Sequence, residues 1–125
     1  MAGFDRGAYR ATLTAATNTN GGAVLSLPNP EGADIYVTRV ILNVQTQSSG
    51  AASVDAGIAA NGTTSADNLI DGQSVAAAGV FDNIKNGGTN GKAGQKWAAG
   101  QFLTITASAT VAGLIGEAVI EYVLL

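Results

Sequence analysis

The chain predicts an all-β domain, a jelly-roll-like sandwich of seven to eight short antiparallel strands. Three observations lead there. Short runs of alternating apolar and polar residues recur along the chain. Clusters of Gly, Asn and Ser separate them, within totals of 17 glycines and 2 prolines. Helical spacing is nearly absent; one turn around Ala76-Ala77-Ala78 is the best candidate, and Gly72 and Gly79 weaken it.

Taken in order, residues 8–16 set Tyr9, Ala11, Leu13 and Ala15 against Arg10, Thr12 and Thr14, a half-buried strand. Asn18 to Gly22 make a turn, because Asn and Gly adopt positive φ cheaply. Residues 23–27 place Ala23, Leu25 and Leu27 on one side, and Pro28 and Pro30 end that strand. The longest strand is expected over 34–46. Strict alternation puts Tyr36, Val40, Leu42 and Val44 on one face and Ile35, Val37 and Ile41 on the other. One side then meets the core and the other a neighbour or a covering loop. Residues 52–60 follow, with Val54, Ala56 and Ile58 on one face, closed by the Asn61-Gly62 turn.

Residues 63–79 read as a loop excursion holding the short piece Leu69-Ile70, and Val80, Phe81 and Ile84 form another apolar piece. The stretch 86–96 lacks core-forming side chains and reads as an exposed loop. Trp97 leads into a turn over Ala98 to Gln101. Strands are expected over 102–108, with Leu103 and Ile105 inward, and over 115–124, with Ala118, Ile120, Tyr122 and Leu124 on one face. The closing Leu124-Leu125 implies a docked last strand, in its own core or against a partner. The organisation is an N-terminal arm over 1–7 and one domain over 8–125.

Charged residues make up 12% of the 125 residues, about half the usual share, so burying this surface strips water from few charges. The net charge of −3 comes with no basic stripe, which argues against nucleic acid as a partner. No run is long enough to cross a membrane as a helix, and residues 1–6 contain no apolar stretch, so neither a membrane span nor a signal peptide is expected. Without Cys there is no disulfide scaffold.

With neither His nor Cys, the Ser-His and Cys-His pairs and the usual zinc sets are excluded. The remaining candidates fail on named positions. Asp67 and Asp71 loosely match a calcium loop, but the alternating acids and closing Glu are missing, and an Asx turn explains them. Glu117 and Glu121 lie roughly 13 Å apart along one strand face, too far for a glycosidase pair. Gly87 to Ala93 fails as a phosphate loop at Asn86 and Ala93, and no helix follows. Asn61-Gly62-Thr63 matches a glycosylation sequon in form only. Trp97 with Tyr122 could line a sugar or peptide site, but a Trp beside a turn more often covers the end of a core. No catalytic, cofactor-binding or metal-binding residue, no cofactor and no small-molecule substrate is expected, and the chain is not expected to be an enzyme.

Several stretches carry a resemblance: Gly57 to Gly72, Gly79-Val80-Phe81-Asp82-Asn83-Ile84, Gly88 to Lys92, Gln95 to Gln101, and Ala112 to Tyr122. Together, over about residues 35–123, they resemble small virion proteins encoded near the capsid genes of tailed bacteriophages. The resemblance implies a head decoration (cement) protein, a jelly roll seated on the capsid lattice, often as a trimer. It implies the major capsid protein and further copies of the chain as partners, and a place on the virion surface after synthesis in the host cytoplasm. It carries no functional residues over. The competing expectation is a receptor- or carbohydrate-binding module of a tail fibre or adhesin, with an exposed aromatic site near Trp97 or the 86–96 loop.

Overall fold

The computed structural model describes residues 6–125 as nine strands in two antiparallel sheets packed against each other. They are β1 (Arg6–Thr12), β2 (Gly22–Pro28), β3 (Ile35–Thr46), β4 (Ser53–Ala59), β5 (Ile70–Ser74), β6 (Gly79–Asp82), β7 (Gln95–Trp97), β8 (Phe102–Ala107) and β9 (Ile115–Leu124). The first sheet runs β1-β9-β3-β6, with β7 also on β3; the second runs β2-β8-β4-β5. Since β6 and β7 divide one edge of β3 between them, each sheet has four positions. The order is that of a jelly roll. The β-sandwich expected from the strand pattern is therefore present. Of the expected arm over 1–7, residues 1–5 lie outside the described residues, and Arg6 and Gly7 pair with Val123 and Tyr122 in β1.

The core is aliphatic, built from Val40, Leu42, Val54, Ile58, Leu69, Leu103, Ile105 and Ile120, with Trp97 and Tyr122 at its periphery in sequence terms but buried with it. Apart from a half-exposed Leu124, the inward faces of β4, β8 and β9 are those the alternation predicts.

Elsewhere the alternation misleads, and β-bulges are the reason. In β3 the register with β9 shifts between Val37 and Arg39. The inserted residue, Thr38, reverses the phase of the strand. Ile35 and Val37 therefore enter the same core as Val40, Leu42 and Val44, while Tyr36 is exposed. The apolar start of β3 is a phase shift within one buried face, not two buried faces. In β2 a shift between Ala23 and Leu25 buries Val24, which alternation turned outward; Ala23 is exposed, and Leu25 and Leu27 pack only partly against the core.

Three element boundaries also move. β1 stops at Thr12, not at 16. The Leu13 N–H still bonds the Gly116 carbonyl at 2.9 Å, but the Thr14 N–H goes to Val24 O, so the chain is already crossing to the second sheet. Residues 70–74 are a paired strand rather than loop, and Ala76 to Ala78 are not helical. The 86–96 stretch exposes most of its side chains, but its backbone is fixed. Gly87 O accepts from the N–H groups of Asp71 (2.8 Å) and Gly91 (3.1 Å), and Lys92 N–H bonds Asn68 O. Its last two residues begin β7.

Candidate interaction surface

The outer face of the second sheet is closed by its own chain. The loop after β4 folds back over β2, β8 and β4. Ser26 Oγ donates to Gly62 O at 2.9 Å, and Thr104 Oγ1 to Thr64 O at 2.9 Å; Ser65 and Thr106 hydroxyls meet at 2.6 Å. Asn68 reproduces a strand partner for Ile58: its Oδ1 accepts the Ile58 N–H and its Nδ2 donates to the Ile58 carbonyl. Only glycine fits beneath that amide, since a Cβ on Gly57 would lie 2.5 Å from Asn68 Oδ1. The loop buries Thr104, Gly57 and Ala59 on what would otherwise be a wet face.

The outer face of the first sheet has no such cover among the described residues. Its cross-strand rows follow from the register, because opposed residues share a face. One row is Arg6, Val123, Tyr36 and Lys96; another is Arg10, Val119, Ile41 and Asp82; a third is Thr12, Glu117, Asn43 and Val80. Val80 is 66% exposed, and Ile115, at the end of β9, 56%. Three ion pairs sit on or beside this face: Arg10 to Glu117 at 3.6 Å, Arg39 to Asp82 at 3.1 Å, and Lys96 to Asp34 at 3.3 Å. Exposed pairs of this kind contribute little to stability. Their effect is to neutralise the face from within, so that covering it leaves few charges unpartnered.

Asp82 is the best-held member. Its Oδ1 accepts the N–H groups of Ile84 and Lys85, both at 2.8 Å, and its Oδ2 accepts from Arg39. The Lys85 N–H does most to hold its carboxyl below the ordinary range; Arg39 and the Ile84 N–H add to that, while burial opposes it. Next to it, the buried Asn83 fills the rung of β3 between β6 and β7. Its Oδ1 accepts the Val40 N–H at 2.8 Å, and its Nδ2 donates to Lys92 O. The strand reading passed over both residues; the signal was Asp-Asn directly after a short apolar run, where Asx side chains cap turns. A carboxyl with a lowered folded-state pKa stabilises the fold above its unfolded value, and that contribution is lost as pH falls through the folded value. Asp82→Asn should therefore lower stability at neutral pH by about 1–2 kcal/mol. The difference between variant and parent should begin to shrink as pH falls through about 4, the ordinary carboxyl range, and close only below the lowered folded-state value, as measured by urea unfolding across pH.

The other sequence candidates fall elsewhere. Trp97 is fully buried, its Nε1 donating to Gln101 O at 2.9 Å, so it offers no stacking face to a sugar. Tyr122 is buried too, and its hydroxyl donates to Glu31, a hydrogen bond that with burial pushes the phenol up to about 12. Asp67 and Asp71 both hold Asn90, through its side chain and its backbone N–H, which makes them ties for the glycine loop. Asp55 bonds the Gly72 N–H, and burial, then the Asp71 and Asp67 charges, push its carboxyl up against that bond. No group of three or more metal-ligating side chains occurs among the described residues. Asn61 Oδ1 is taken by the Thr63 N–H and by the Thr63 and Thr64 hydroxyls, the interior of a turn. Glu117 lies against Arg10, and Glu121 is exposed. None of these places a nucleophile beside a base. No helix among the described residues is long and apolar enough to cross a membrane. Comparison with protein-family models, with curated proteins and with solved structures returns no match.

Proposed function

We propose that the chain is a structural virion protein, a decoration subunit that seats on a phage head and stabilises it, alongside further copies of itself. The observation that carries this reading is the contrast between the two outer faces. One is sealed by the protein's own loop; the other is broad, paired internally in charge, and studded with Val80, Val119, Val123, Ile41 and Tyr36. A broad face of this composition suits contact with a protein lattice, and the open hollow on it, lined by Arg6, Ala8, Thr38, Glu121 and Val123, can receive a side chain projecting from the partner. The resemblance of residues 35–123 to small virion proteins supplies the kind of lattice, with the major capsid protein as its main component. Many modest contacts, repeated over a particle, would add up to firm attachment.

The test is to mix the purified protein with capsids lacking it and follow co-sedimentation and occupancy by cryo-EM. Stoichiometric binding through the first sheet is expected, and capsids that stay bare would overturn the reading. Val80→Glu changes an exposed position, so the fold should shift by no more than about 0.5 kcal/mol. It places an unpaired carboxylate in the contact, and capsid affinity should drop by about tenfold or more.

A further inference from the structure

A β-sandwich has four sheet edges, and this chain blocks three of them. β2 is interrupted by its bulge and by Pro28, and its Val24 carbonyl is taken by the Thr14 N–H. β5 is covered at Asp71, whose N–H bonds Gly87 O and whose carbonyl lies against Gly88. The far edge of β3 is filled by β6 and β7, of four and three residues. The fourth edge, β1, is different. It is seven residues long, regular in register and free of proline.

The direction of its free groups follows from one bond. Leu13 donates to Gly116 O, so Leu13 and Gly116 are a hydrogen-bonded pair. In an antiparallel ladder such pairs alternate. Ala11, Tyr9 and Gly7 therefore bond β9, while Ala8, Arg10 and Thr12 turn their N–H and C=O groups outward. Among the described residues nothing accepts or donates to them. A row of this kind is a template for another strand.

We infer that β1 pairs antiparallel with β1 of a second copy, about a two-fold axis at Tyr9. Two considerations choose this occupant and this register. Only registers that oppose outward-bonding residues are possible, so shifts come in steps of two. The register that sets Arg6 opposite Thr12 overlaps all seven residues, and it places Arg10 opposite Ala8. A shift one way sets Arg6 against Arg10, and the other way sets Arg10 against Arg10, both disfavoured by like charge. The chosen register also covers Tyr9, which is 42% exposed at the rim of the sandwich, with Tyr9 of the second copy. The two first sheets then join into one continuous sheet. The contact is two-fold, so on a particle it joins neighbouring subunits rather than closing a ring of three. It does not depend on the capsid reading, and it is tested on the free protein.

Light scattering on the purified full chain should give an even number of subunits, two or, with a three-fold contact as well, six. The chain has no cysteine, so single replacements report cleanly. At the axis the Cα atoms of a non-hydrogen-bonded pair lie about 4.5 Å apart, within disulfide range. Tyr9→Cys should oxidise to a covalent dimer at least tenfold faster than Thr12→Cys, which faces Arg6 of the second copy. Ala8→Pro removes an outward N–H and leaves the β9 ladder intact, so it should abolish pairing without changing the circular dichroism spectrum. If Ala8→Pro impairs folding, the cysteine comparison still decides. Monomers or trimers at every concentration, or equal oxidation of the two cysteine variants, would overturn the inference.

Discussion

Trp97→Ala should be among the most damaging single substitutions in the chain, costing about 3–5 kcal/mol of folding stability. Trp97 is completely buried at the junction of β7 and β3, opposite Ile35, which is also fully buried. Truncation leaves a cavity that the rigid strands around it cannot collapse to fill. It also removes one of two hydrogen bonds to a carbonyl: Gln101 O loses the indole N–H at 2.9 Å and keeps the Asn29 N–H at 3.2 Å. The turn that follows is built around the same residue. Gln101 Oε1 accepts the Ala98 N–H, and Asn29 Nδ2 donates to the Trp97 carbonyl, tying the β2–β3 loop to β7. Against a total stability of about 5–15 kcal/mol this is a large fraction, and thermal unfolding should drop by roughly 10–20 °C. Trp97→Phe keeps most of the volume and loses only the indole bond, so it should cost about 1–2 kcal/mol. Equal losses from the two substitutions would show that the hydrogen bond, not the packing, anchors this corner.

The burial of Trp97 also shows what the residue pattern conveys and what it does not. The all-β class and most strands were readable, because alternation and glycine punctuation are local signals. In β4, β8 and β9 the inward residues came out as expected, apart from the half-exposed Leu124 at the chain end. The misassigned positions are those set by pairing with distant residues. The bulge at Thr38 depends on β9, where the Thr38 hydroxyl donates to Glu121 O at 3.1 Å. The bulge that buries Val24 depends on β8. Neither leaves a mark in its own strand, since Ile-Tyr-Val-Thr-Arg-Val reads equally well in either phase until a partner fixes the register. β5 was hidden for a similar reason. Asp71, Gly72 and Gln73 look like loop, and they become strand because distant groups hold them: Gln73 pairs with Val54 of β4, the Gly72 N–H bonds Asp55 Oδ1, and the Asp71 N–H bonds Gly87 O.

The candidate surface was legible in one respect: the low charge content signalled a surface that loses little on being covered. What residue spacing could not supply was the asymmetry. That the loop after Asn61 seals one outer face and leaves the other open is a consequence of Asn68 reaching across to Ile58, over the gap that Gly57 provides. Among the described residues the large exposed apolar side chains lie on or beside the first sheet. On the proposed reading this asymmetry would give the subunit a defined orientation on a lattice, whereas two such faces would favour stacking.

Gly91→Ala is the second substitution with a large expected effect, and it tests whether the glycine loop is structural or merely flexible. A Cβ at Gly91 would lie 2.1 Å from Gly87 O and 2.4 Å from Leu69 O, both backbone atoms that cannot swing aside. To admit a methyl group the loop must lift. Lifting breaks the Gly91-to-Gly87 and Lys92-to-Asn68 hydrogen bonds and loosens Asn90, which is held by Asp67 and Asp71. Asn68 also carries the cover of the second sheet, so the disturbance reaches Ile58. A loss of about 2–4 kcal/mol is expected, in the range of overpacking combined with broken buried bonds. Gly50→Ala is the matched control. A Cβ there meets nothing within 4 Å, and the residue has no positive φ. The replacement should be neutral or stabilise by up to about 1 kcal/mol through the unfolded chain. Hydrogen exchange separates local from global effects. In Gly91→Ala the amides of Asp71, Gly91 and Lys92 should lose protection first, with β9 and β3 following only near the unfolding transition. If both glycine variants unfold at the parent's denaturant midpoint, the loop carries no load and its close backbone contacts are incidental to the fold.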